Sequence, residues 1–145
     1  MLGRRTYDIW SGFWPKAPSS SLADSLNTAT KYVATHRPDS LEWGLFEGLG
    51  PDIVEGVRQN KAMDGPGLIL WGSSTLTSIL LEHGLAHEVL LFVYPIRQRK
   101  RFFSDRTPPS GLALASTNAL SSGVLINTYT PAGHLRTGSL DDAAA

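Results

Sequence analysis

The chain has 145 residues, enough for one domain with a substantial core. Thirteen Lys and Arg balance thirteen Asp and Glu, so no global field draws it toward nucleic acid or an anionic membrane. With no cysteine there is no disulfide, thiolate metal site or thiol nucleophile, which fits a cytoplasmic protein. No apolar run approaches the roughly 20 residues of a membrane helix, and no signal-like core opens the chain.

In chain order, the opening MLGRRTYDIWSGFWP predicts a helix up to Pro15. Thr6 serves there as a cap or first-turn residue, and Tyr7, Ile9, Trp10, Phe13 and Trp14 form its bulky face. A short helical turn is expected around Leu22 to Leu26. Lys31 to Thr35 (KYVAT) reads as a β-prone strand, His36 to Ser40 as a loop, and Leu41 to Phe46 as a second, weaker strand. Glu47 to Gly50 reads as a turn. Pro51 then starts a helix through about Lys61, with Ile53, Val54 and Val57 inward.

The most informative stretch is GLILWGSSTLTSILLEHG, from Gly67 to Gly84. Leu68 to Trp71 is an unbroken apolar run, as in a strand covered on both faces. Gly72 ends it, and Ser73 or Ser74 is placed to cap a helix with Leu76, Ile79, Leu80 and His83 on one stripe. Gly84 suits a left-handed stop. A strand end followed by a glycine and a helix N-terminus suits an anion, because free N–H groups and the helix dipole favour negative charge. A plain strand–turn–helix unit is the competing reading.

Glu88 to Tyr94 (EVLLFVY) predicts another strand, able to pair in parallel with Leu68–Trp71 through a right-handed crossover. A basic run, Arg97 to Arg101, follows, then Phe102 and Phe103 as a short strand and a turn cluster from Thr107 to Gly111. Leu112 to Leu120 and Gly123 to Tyr129 predict a hairpin across Ser121-Ser122. The expected domain covers 1–131, with 132–145 as a flexible tail. The resulting fold class is α/β: a mostly parallel sheet flanked by helices, with an antiparallel C-terminal hairpin. Neither a metal constellation nor a Gly-x-Ser-x-Gly turn is present in the sequence. The four tryptophans read best as core.

Together, LGRRTYDIW, KYVAT, LILWGSSTLTSILLEHGL, EVLLFVYP, KRFF and GVLINTY resemble the bacterial dihydrofolate-reductase-like family, which shares its domain with the reductase part of the bifunctional riboflavin-biosynthesis enzyme. The resemblance spans nearly the whole chain. It implies the dihydrofolate reductase fold, NADPH as cofactor, and hydride transfer to a pterin- or pyrimidine-like heterocycle or a carbonyl compound. It also implies cofactor-binding roles for Gly3, Arg4, Arg5 and Thr6 at the phosphates, for Thr35 and Arg37 near the adenosine 2′-phosphate, and for Gly72, Ser73, Ser74 and Thr75 at the pyrophosphate. His36 reads better as a solvated loop residue than as a ligand. No catalytic residue is assigned. Two departures stand out: family members begin with a central strand and a substrate loop before Gly-Arg-Arg-Thr, and Ile96-Arg97-Gln98-Arg99 replaces a glycine-containing loop. The expectation is a reductase that needs the N-terminal segment supplied; the alternative is a non-catalytic nucleotide-binding or oligomeric remnant. A homodimer is expected from unpaired sheet edges.

Overall fold

The computed structural model describes residues 1–96, 103 and 109–135. The run 97–101, Phe102, the start of the turn cluster at Thr107-Pro108, and residues 136–145 of the expected tail lie outside the described residues.

The first half forms a parallel sheet with helices on both faces. Leu2–Gly3 is a two-residue strand, β1, leading directly into α1, Arg4–Phe13. Helix α2, Ser21–Thr28, is capped by Ser20 Oγ accepting from the Ala23 N–H, and is longer than the turn expected there. Strand β2, Lys31–Ala34, lies where expected. It pairs in parallel with β1, Leu2 opposite Val33, and with β3, Phe46–Gly48, Lys31 opposite Phe46. Helix α3, Ile53–Ala62, starts at Asp52, whose carboxylate accepts from the Glu55 N–H. Gly56 lets α3 cross the Leu49 backbone closely; a Cβ there would stand 2.0 Å from the Leu49 carbonyl oxygen.

Alternation along β2 divides the core. Val33 faces a cluster with Leu2, Tyr7, Leu41 and Trp43, against which Trp10, Trp14 and Trp71 pack. Tyr32 and Ala34 face the opposite cluster of Leu49, Val57, Leu76 and Leu80. The tryptophans are therefore core, as expected. Lys31 is buried and has no carboxylate partner among the described residues: its ammonium donates to the Asn27 carbonyl at 2.7 Å and lies 4.6 Å from the Trp43 ring centroid. Burial pushes its pKa down.

The expected strand at Leu41 to Phe46 is a correction. Tyr7 Oη accepts from the N–H groups of both Glu42 (2.8 Å) and Trp43 (2.6 Å). These donors are turned toward a side chain rather than a neighbouring strand, and Gly44 follows at φ +63°. The backbone joins the sheet at the Leu45 carbonyl, which accepts from the Lys31 N–H at 2.8 Å, and β3 begins at Phe46.

The segment Leu68–Trp71 is extended but outside the assigned strands. The Met1 amino group donates to the Ile69 carbonyl, and the Trp71 N–H donates to the Met1 carbonyl at 3.2 Å. This places 68–71 beside β1 in parallel, with Leu70 and Trp71 packed on opposite sides. Burial on both faces holds at its end but not at Ile69, which is 61 % exposed. Helix α4, Ser74–Glu82, follows and stops at Gly84, φ +63°, as expected.

The second half is a separate antiparallel sheet in the order β4-β6-β5, formed by Val89–Val93, Leu125–His134 and Ser110–Ala119 respectively. The C-terminal hairpin is where the sequence places it. The parallel crossover is not: β4 pairs antiparallel with β6, Val89 opposite Tyr129, and among the described residues nothing pairs it with 68–71. The fold is thus a mixed α/β arrangement of two three-stranded sheets rather than one mostly parallel sheet. Strand β6 runs through His134, into the stretch expected as tail.

Two measurements follow. Tyr7→Phe orphans two backbone donors and should cost about 2–4 kcal/mol of stability in urea denaturation; a loss under about 1 kcal/mol would contradict the pinning role. The Met1 ammonium, half-buried, has its pKa lowered from 8.0 to about 6 by desolvation. The unfolded chain therefore binds more protons between those values, so stability should rise by about 2 kcal/mol as pH climbs from 6 to 8. Melts of the 145-residue chain across that range should show the rise, and N-terminal acetylation should flatten it.

Candidate functional site

The expected site residues fall on three chain segments that leave the carboxyl ends of neighbouring extended stretches. Gly3 ends β1 and Arg4, Arg5 and Thr6 follow it; Thr35, His36 and Arg37 follow β2; Gly72, Ser73, Ser74 and Thr75 follow 68–71. In an open parallel sheet this is the end where ligands bind.

The first and third segments meet directly. Ser73 Oγ accepts from the Gly3 N–H at 2.8 Å and lies 3.1 Å from Thr6 Oγ1. A Cβ on Gly72 would stand 3.6 Å from the same Thr6 hydroxyl. Gly72 has φ +60° and Ser73 φ 57°, so two successive left-handed residues turn the chain from the extended segment into α4. For serine this conformation costs about 1–2 kcal/mol, and such strain concentrates at functional sites.

Ser73 is the N-cap residue of α4, yet it makes no side-chain cap bond. This corrects the capping role expected for Ser73 or Ser74: the Ser73 hydroxyl is committed to Gly3 instead. Gly3, at the N-cap of α1, likewise supplies no side chain. Neither helix has an acidic residue in its first turn. Two N-termini are therefore tied together with their first-turn N–H groups left without intrahelical acceptors and without a carboxylate to neutralise them. That combination favours an anion.

The second segment builds an adjoining cavity of about 190 Å³, lined by Arg4, Ala34, Thr35, His36, Arg37, Gly50 and Ile53. Thr35 Oγ1 accepts from the Arg37 N–H at 3.1 Å, which shapes the turn. Arg4 is held by Asp8 through Nε at 2.8 Å, while Nη1 donates to the Arg37 carbonyl at 3.3 Å and to Ser40 Oγ. Three of its five donors are thus satisfied by protein, and both Nη2 hydrogens remain without an acceptor among the described contacts. Arg5 is exposed on the first turn of α1. Asp8, Ser40, Gly50 and Ile53 escaped sequence reasoning, although the Arg4–Asp8 spacing of four was a usable signal. A larger, shallower cavity of about 530 Å³ is lined by Pro51, Asp52, Ile53, Val54, Ile79 and His83; it shares Ile53 but has no arginine.

The chain is thus a mixed α/β protein in which two helix N-termini and the Arg4 and Arg37 side chains gather at one end of the parallel sheet. No family model matches the chain. The chain is 25% identical over 136 residues to the uncharacterized protein YyaP of Bacillus subtilis (strain 168), an alignment spanning 89% of this chain and 71% of that protein. Its fold is shared with the crystal structure of a "putative riboflavin biosynthesis protein" from Shewanella sp. PV-4, with a TM-score of 0.63 at 16% identity, covering 90% of this chain and 71% of that one.

Ser73 separates strain from bonding. Ser73→Ala keeps the strained backbone and loses the bond to Gly3, so it should cost about 1–2 kcal/mol. Ser73→Gly loses the same bond but relieves the strain, and should be nearly neutral. Thermal melts that rank the glycine variant at or below the alanine variant would contradict a strained Ser73.

Proposed function

We propose that this chain binds NADPH and belongs to a reductase that transfers a hydride to a small heterocyclic, pterin- or pyrimidine-like, or carbonyl substrate. The observation that carries this reading is the junction at Ser73. It joins two helix N-termini, neither with an acidic first turn, beside an arginine-lined cavity. The donor set fits a dinucleotide. The N–H groups of the two first turns, with Arg5, would hold the pyrophosphate. Arg4 through Nη2, Arg37 and Thr35 would hold the phosphate on the adenosine ribose, favouring NADPH over NADH. The bound nicotinamide supplies the hydride; the chain's contribution is to hold and orient the cofactor. The shared fold with a protein described as belonging to riboflavin biosynthesis supports the same reading.

Titration of the purified chain with NADPH and NADH, followed by cofactor fluorescence, tests it. NADPH should bind more tightly, and Arg37→Ala should weaken NADPH by about tenfold or more while changing NADH little. Gly72→Val should abolish binding of both, because a β-branched residue resists φ near +60° and crowds the approach to the turn. Oxidation of NADPH with candidate pterins or pyrimidines then separates a reductase from a non-catalytic nucleotide-binding protein. Failure to bind either dinucleotide would sink both.

A further inference from the structure

Arg4 and Arg37 line the same cavity of about 190 Å³, so two like charges share a small space. Among the described residues, one carboxylate is paired with either of them: Asp8, which accepts from Arg4 Nε at 2.8 Å. The same guanidinium reaches across to the turn after β2. Its Nη1 donates to the Arg37 carbonyl at 3.3 Å and to Ser40 Oγ, and the Ser40 hydroxyl in turn donates to the Arg37 carbonyl at 2.8 Å. Arg4 is therefore held from two sides, by α1 through Asp8 and by the Pro38–Ser40 turn through Ser40. A guanidinium is planar, so fixing Nε and Nη1 also fixes the free Nη2 hydrogens.

The Asp8 side chain is 49 % exposed, so its ion pair with Arg4 contributes little to stability. Nor does its charge help an anion nearby; by Coulomb repulsion alone it weakens binding. Positioning is the contribution that remains. An arginine whose rotamer is already fixed loses less entropy when it takes a phosphate. We propose that Asp8 and Ser40 are positioning residues that aim Arg4 Nη2 at the phosphate on the adenosine ribose, and so set the preference for NADPH over NADH. The inference rests on the dinucleotide reading above and adds to it the two residues that make Arg4 selective.

NADPH and NADH differ only in that phosphate, so their affinities for the purified 145-residue chain separate aim from general structure. Asp8 is an exposed position within α1, where alanine is a strong helix former, so Asp8→Ala should fold unchanged. It should weaken NADPH about tenfold and leave NADH within about twofold. Loss of a negative charge alone has the opposite sign and would tighten NADPH. Ser40→Ala, which removes no charge, should weaken NADPH several-fold with the same indifference in NADH. In an Arg4→Ala background neither substitution should change NADPH further, because the group they aim is gone. An Asp8→Ala chain that binds NADPH as tightly as the parent, or more tightly, would overturn the proposal. So would equal losses for both dinucleotides, or a loss that persists undiminished without Arg4. If the parent prefers NADPH and any of these results is found, the cofactor reading stands and only this inference falls. A parent that binds neither dinucleotide removes both.

Discussion

One hydroxyl organises the parallel half of the molecule. Ser73 Oγ, held by a left-handed backbone, takes the Gly3 N–H and meets the Thr6 hydroxyl. Gly3 begins α1 and Ser73 begins α4, so a single side chain fixes the start of one helix against the start of the other across about seventy residues of sequence. Both helices thereby bring their positive ends to the same place. Helix dipoles act only over the first turn, so their fields add only where the two ends lie this close together.

The surrounding packing adds further contacts around that junction. Met1 bonds the extended segment before Trp71, and Trp71 lies 5.7 Å from Trp10 of α1, centroid to centroid. Tyr7, one turn into the same helix, pins the 42–43 backbone through its hydroxyl. Asn27 ties Trp43 and Trp14 together, accepting from the Trp43 indole at 2.9 Å and donating to the Trp14 carbonyl at 3.1 Å. Helix α1 is thus packed through buried Tyr7 and half-buried Trp10, while Ile9 and Phe13 on it are exposed.

The two halves of the molecule divide the chemistry. The parallel half holds both main apolar clusters and the arginine-lined cavity, and β1 and β2 carry the buried residues of its sheet while β3 is exposed. The antiparallel half has no charge in its strands, and Val89 and Val124 are its buried apolar residues among those described. This sheet leaves Leu90, Phe92 and Leu114 largely exposed.

Much of the architecture was legible in sequence. The helices at 4–13, 53–62 and 74–82, the strand KYVA and the terminal hairpin each follow from local signals: periodicity, Pro51, Gly84 and the Ser121-Ser122 turn. The glycines beside helix starts at Gly3 and Gly72 are local features of the sequence, while the cofactor role proposed for them comes only from the resemblance. Pairing was not legible. Whether Leu41 to Phe46 joins a sheet depends on Tyr7, more than thirty residues earlier, and whether Glu88 to Tyr94 pairs in parallel or antiparallel depends on which strand edge reaches it first in space. The role of Ser73 shows the same limit. Sequence offers it, or Ser74, as a cap, because a serine before a helix has a backbone donor within reach. Only the tertiary structure brings the Gly3 N–H close enough to take the hydroxyl away, since a hydrogen bond is decided by distance in space and not along the chain.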